Sequence, residues 1–196
     1  MNNQLKQELI DLLYHKAYKY SEKPSFKLAS GKLSQFYIDC KAVSMTPQGL
    51  RIIGQMIYER IISLDVQAVG GLTMGADPIA AATAFVSLSR PYPVNCFSIR
   101  KEPKGHGLNR FIVGPVKKGE RVVILDDVVT TGGSTIKAIR ASQDFGLHVV
   151  QALAGVDRQE GGMEAVKKEG ITADALVTID DLRKKQFFQV PGGFLS

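Results

Sequence analysis

The stretch RVVILDDVVTTGGST, from Arg121 to Thr135, drives four apolar residues into two adjacent carboxylates, Asp126 and Asp127, and then into Thr, Gly and Ser. Adjacent acids at the end of an apolar run repel each other and are costly to desolvate. Paired glycines weaken whatever element they sit in. Such a stretch makes sense where a ligand completes it. A helix starting near Ser134 would present unpaired N–H groups and a positive dipole end, which suits a phosphate. Thr130, Thr131, Ser134 and Thr135 would add hydroxyl donors around it. The acids precede this turn, and carboxylates repel phosphate, so they must serve another group: a sugar diol, a metal ion, or both. Two common phosphate loops do not fit. No Lys precedes Ser134 as a GxxxxGK[ST] loop requires, and Gly132-Gly133 does not supply GxGxxG. The pattern reads as a site for a phosphorylated sugar, with hydroxyls on the acids and phosphate on the turn.

The elements that must position these groups follow from periodicity. Leu5, Leu9, Leu12 and Leu13 predict an amphipathic helix over 3–19, and FKLASGKLSQFYID predicts one or two short strands. Thr46 and Pro47 read as N-cap and first position of a helix whose face continues through Leu50, Ile53, Ile57 and Ile61. From residue 66 the rhythm becomes strand–helix. VQAVGG, VNCFSIR, RVVILDD, HVVQALAGVD and DALVTI read as strands. Helices are expected at PIAAATAFVSLS, at STIKAIRASQDFG closed by Gly146, and at GMEAVKKEG. The strands are continuous apolar runs, as expected for strands covered on both faces. The expected fold is α/β: a doubly wound, mostly parallel five-stranded sheet with flanking helices. The first 40 residues and KKQFFQVPGGFLS fall outside that rhythm and are expected to pack beside the sheet. The expected organisation is a single unit over 1–196, with a small N-terminal hood over about 1–45 and a core over about 46–180.

Composition narrows the partners. The chain has 196 residues, 44% hydrophobic and 22% charged, as in an ordinary soluble globular protein. It contains no apolar run of about 18 residues, so no membrane span is expected, and MNNQLKQELIDLL does not resemble a signal peptide. Cys40 and Cys96 read as free thiols of a reducing cytoplasm. The net charge of +6 suits nucleic acid, a membrane surface or a small polyanion. Basic residues are scattered except in RKEPKGHGLNR, Arg100 to Arg110, and none alternates with aromatic residues. A small anionic ligand is therefore favoured over nucleic acid.

VVILDDVVTTGGST resembles the phosphoribosyl-pyrophosphate (PRPP) signature of the type I phosphoribosyltransferases. IRKEPKGHG resembles the mobile catalytic loop of the orotate phosphoribosyltransferases in that family. FKLASGKLSQFYID is similar to their hood segment, GGLTMGADPIA to their glycine-rich turn, and GVDRQEGG to the strand end whose Arg meets the orotate carboxylate. The resemblance runs from about Phe26 to Gly162. It implies transfer of a phosphoribosyl group from PRPP to orotate with Mg²⁺. PRPP would meet Asp126, Asp127, Val128, Val129, Thr130, Thr131, Gly132, Gly133 and Ser134, and orotate would meet Thr130 and Arg158. Arg100, Lys101, Lys104 and His106 would neutralise the departing pyrophosphate. Tyr37 would lie against the pyrimidine ring. The metal would be held mainly by substrate and water, and a homodimer would share the lid loop between subunits. Ala29 and Met74 stand where some members carry Lys, and Lys27, Lys32 or Lys101 are the expected replacements. The neighbouring readings are a purine or uracil phosphoribosyltransferase and a PRPP-binding regulator without turnover. An anionic base calls for the cations of the loop and Arg158, which favours orotate.

Overall fold

The computed structural model describes residues 3–27, 31, 33–101 and 111–189. Helix α1 (Asn3–Lys16) buries Leu5, Leu9, Ile10 and Leu13. It ends three residues earlier than its periodicity predicts, because Tyr18–Tyr20 forms a strand, β1, antiparallel to β4 (Phe36–Ile38). A second two-stranded piece pairs β2 (Phe26–Lys27) with β3 (Leu33–Ser34). The predicted one or two strands of the hood segment are thus three, two of them only two residues long and too short to show a period. Helix α2 (Lys41–Ser44) follows, then α3 (Pro47–Ile61). Thr46 caps α3, its hydroxyl accepting from the Gly49 amide at 3.1 Å. Ile53, Ile57 and Ile61 are buried as predicted, whereas Leu50 is half-buried and lines an outer groove instead.

The remaining elements are β5 (Ala68–Leu72), α4 (Ala76–Ser87), β6 (Asn95–Ile99), β7 (Ile112–Val113), β8 (Arg121–Val129), α5 (Gly133–Phe145), β9 (His148–Asp157), α6 (Gly162–Lys168), β10 (Thr172–Thr178) and α7 (Ile179–Gln189). The sheet order is β10-β9-β8-β5-β6-β7. Five strands are parallel. The sheet has six strands, not five, because β7 adds an antiparallel edge, Ile112 opposite Ile99 and Val113 opposite Ser98. Two residues at a sheet edge carry no legible alternation, so this strand escapes sequence reading. The tail expected to lie outside the rhythm, from Lys184, continues helix α7, which begins at Ile179 and puts Leu182 in the core.

Helices cover both faces. One core joins α1, α3, α4 and α7 to Val123 and Leu125 of β8. The other joins α5 and α6 to Val122 and Ile124. The chain moves outward from β5 to β6, then returns past β5 to β8 and continues the other way. The β5/β8 boundary is therefore the switch point of the sheet, and a crevice opens beyond the strands' carboxyl ends there.

Candidate active site

Two turns meet at that switch point. Strand β5 runs into Thr73–Gly75, and β8 ends in Asp126, Asp127, Val128 and Val129 before the turn into α5. Side chains alternate across a strand, so the two acids leave β8 on opposite faces. Asp126 Oδ2 accepts from the Thr135 hydroxyl at 2.8 Å on the α5 side. Asp127 lies on the other side, where a Cβ on Gly75 would come within 2.3 Å of its Oδ1. Its Oδ1 also accepts from the Val128 amide at 3.0 Å, and its Oδ2 sits 3.6 Å from Lys41 Nζ. Burial, opposed by the Thr135 hydrogen bond and assisted by the charge of Asp127, pushes the Asp126 carboxyl up to about 7. The two neighbouring acids are thus held differently: one leans toward neutrality and the other is paired with a cation.

The turn after β8 has the geometry its sequence suggests. Gly132 takes φ 81° at the N-cap of α5 and packs on Gly162, whose carbonyl oxygen a Cβ there would meet at 2.8 Å. Only glycine fits both demands. Thr131, Gly133 and Ser134 are exposed, and a Cβ on Gly133 would meet nothing within 4 Å. The first peptide groups of α5 therefore face open space with no intrahelical acceptor. Thr135 differs from its predicted role: it is 3% exposed and its hydroxyl is committed to Asp126, so it is no phosphate donor. Val129 is buried and its carbonyl accepts from the Arg158 amide at 2.9 Å, while Val128 and Thr130 are half-buried at the rim.

That amide bond holds Arg158 beside the end of β8. The side chain is 5% exposed, and its Nε is buried without a hydrogen-bond partner. Its NH2 group pairs with Glu160 at 2.8 Å and reaches the Ser34 hydroxyl of the hood at 3.5 Å. The guanidinium lies 4.9 Å from the Phe36 ring centroid, and Arg183 lies 4.4 Å from the same ring. Tyr37, one residue on, stacks with Phe26 at 6.0 Å.

Arg100 directly follows β6, with its amide donating to the Phe111 carbonyl at 2.8 Å; Lys101 beside it is exposed. The β6–β7 ladder thus joins both ends of the basic loop at the same edge of the crevice. Lys104 and His106 lie outside the described residues, as do Ala29 and Lys32. Sequence reasoning missed Lys41. Nothing local marks it, because its meeting with Asp127 spans 86 positions, though it does sit two residues after Asp39 at a hood strand's end. Among the described residues, no three His, Cys, Asp or Glu side chains cluster as a metal cage.

A crevice with an acid pair, a glycine turn into a helix and a buried cation defines a class of protein. The phosphoribosyl transferase domain model matches residues 46–180, and the chain belongs to that family. It is 47% identical over 177 residues to the orotate phosphoribosyltransferase of Aquifex aeolicus, covering 90% of this chain and 97% of that one. The Mycobacterium tuberculosis orotate phosphoribosyltransferase, solved with Fe(III) dicitrate, superposes with a TM-score of 0.80 at 32% identity, over 91% of this chain and 98% of that one. The same enzyme solved with PRPP gives 0.75 at 30% identity, over 91% and 99%. Within the family, the chain belongs to the orotate phosphoribosyltransferases.

Proposed function

We propose that this chain transfers the 5-phosphoribosyl group of PRPP to orotate, releasing orotidine 5′-monophosphate and pyrophosphate, a step of pyrimidine nucleotide synthesis. The observation that carries the reading is the juxtaposition of the Asp126–Asp127 strand end with the open N-terminus of α5 and the buried, incompletely paired Arg158. The first gives a diol its acceptors, the second gives a phosphate its amides, and the third gives an anionic base its cation.

The bond from C1′ to the pyrophosphate oxygen breaks as the orotate nitrogen forms a bond on the opposite face, and the ribose passes through an oxocarbenium-like state. The protein's part is to position, to match charge and to exclude water. Backbone amides of Thr131, Gly132, Gly133 and Ser134 would hold the 5′-phosphate. Asp126 and Asp127 would accept from the ribose hydroxyls and offset positive charge on the ring. Thr130 and Arg158 would orient orotate, with Arg158 on its carboxylate. Arg100, Lys101, Lys104 and His106 would match the charge that builds on pyrophosphate. Tyr37 would border the base. Mg²⁺ would screen the diphosphate and polarise the leaving oxygen. Such an ion would keep its waters and be held mainly by substrate oxygens.

A homodimer with a shared lid loop belongs to the same reading. A groove of about 560 Å³ between α3 and α4 is lined by Met45, Pro47, Leu50, Pro78 and Phe85. Phe85 is 78% exposed beside this groove, and contiguous exposed apolar surface marks protein–protein contact sites. α4 begins directly after the turn at Thr73–Gly75, so a second copy seated here lies close to the crevice. Phe85→Glu is expected to yield monomers with folding intact, and sedimentation velocity measures this; an unchanged dimer excludes this face. The thiols Cys40 and Cys96 are unpaired, which supports a reducing compartment such as the cytoplasm. No helix among the described residues is long and apolar enough to cross a membrane.

The deciding assay mixes the protein with orotate, PRPP and magnesium, then follows loss of orotate absorbance and release of pyrophosphate. Turnover with orotate but not with uracil, hypoxanthine or adenine supports the reading. Release of pyrophosphate with one of those bases alone overturns the choice of base.

A further inference from the structure

The acid pair is held unequally. Asp126 has a hydroxyl partner within its own strand–turn–helix unit, whereas the only side chain paired with Asp127 among the described residues comes from a distant segment. Gly75 lets the turn after β5 approach its carboxylate, and the Val128 amide takes one oxygen. The turn brings no cation, since its exposed residue is Met74. The charge comes from the opposite side, from Lys41 at the start of α2. Its Nζ lies 3.6 Å from Asp127 Oδ2 and 2.8 Å from Asp39 Oδ1. Asp39 also accepts from the Lys41 amide at 3.2 Å. Lys41 is thus tethered at both ends of its side chain, and a long flexible stem becomes a fixed strut. Among the described residues, this is the one ion pair made by either acid.

The position of Lys41 in the chain adds a second consequence. Strand β4, three residues earlier, carries Phe36 against Arg158. The segment 36–41 therefore touches the cation proposed for orotate at one end and the acid proposed for ribose at the other. Of the residues expected to replace the hood and turn lysines, Lys27 and Lys101 are exposed and form no ion pair with either acid, and Lys32 lies outside the described residues.

We propose that Lys41 is a positioning residue for Asp127, bracing that carboxylate from the hood so that it meets the ribose of PRPP in one orientation. The proposal rests on the reaction given above. Because both groups are partly open to water, the effect is moderate, about tenfold on PRPP affinity. It acts through Asp127, so it disappears when Asp127 no longer carries charge.

The test is calorimetric titration of PRPP with magnesium into the intact protein, joined to steady-state kinetics. Lys41→Met is expected to weaken PRPP binding about tenfold while the KM for orotate stays within about twofold, and Lys41→Arg is expected to restore binding to within about threefold. In an Asp127→Asn background, Lys41→Met is expected to change PRPP affinity less than about twofold. Wild-type affinity in Lys41→Met overturns the inference. So does an undiminished tenfold loss in the Asp127→Asn background, or a failure of Arg to restore binding. Wild-type protein that binds no PRPP overturns the functional reading instead.

Discussion

Arg158→Met is expected to raise the KM for orotate about a hundredfold while leaving PRPP affinity within about twofold. The size follows from burial. The side chain is 5% exposed, and its buried Nε has no hydrogen-bond partner. Leaving a buried donor unpaired costs on the order of 1–3 kcal/mol, more for a charged group, and a carboxylate arriving at that edge recovers the cost. Phe36 and Glu160 fix the plane of the group before substrate arrives, so little rotamer freedom is lost on binding. Met fills similar volume without donors, which keeps the packing against Phe36. Initial rates with each substrate varied in turn make the measurement. A PRPP affinity that falls as far as the orotate affinity would show that Arg158 supports the whole crevice and does not select the base.

How much of this site could be read beforehand depends on how far apart the partners lie in the chain. The strand end with its two acids, the glycine turn and the helix behind it are one contiguous unit, so residue order alone exposes them. Apolar runs such as VVIL signal strands covered on both faces, and β8 is one. The parallel core was legible for that reason. Pairings across the fold were not. Thr135 looks like one more hydroxyl beside Ser134, but a helix turns successive side chains by about 100°, and Thr135 faces inward to Asp126 while Ser134 faces out. Phe36 looks like an ordinary strand aromatic, and only the folded hood places it under two guanidiniums. Edge strand β7 is too short to signal itself, and it is recognisable only through its ladder to β6.

Asp126→Asn is expected to make the protein more stable at pH 8 and nearly inactive. The carboxyl is pushed up to about 7, chiefly by burial, against about 3.9 in the unfolded chain. Between these values the folded state binds more protons than the unfolded one, so this group's contribution to stability falls as pH rises from about 4 to 7. Above pH 7 the penalty is complete. Three pKa units correspond to about 4 kcal/mol as an upper bound, and water at the crevice rim reduces this to about 1–3 kcal/mol. Asn carries no charge to desolvate and still accepts from Thr135, so thermal unfolding at pH 8 should rise by roughly 3–10 °C. At pH 4 the two proteins should unfold alike. In the proposed reaction the same proton governs function, because ribose hydroxyls would donate to the carboxylate and so favour its charged form. Wild-type affinity for PRPP should therefore fall as pH drops below about 7. The Asn variant should show no such dependence and a turnover lower by at least about a hundredfold. Scanning calorimetry and PRPP titration across pH 4–8 test both halves. A variant no more stable than wild type at pH 8 would mean that Asp126 is well solvated. In that case the acid is not kept, at a cost to the fold, for the ribose proposed to bind it.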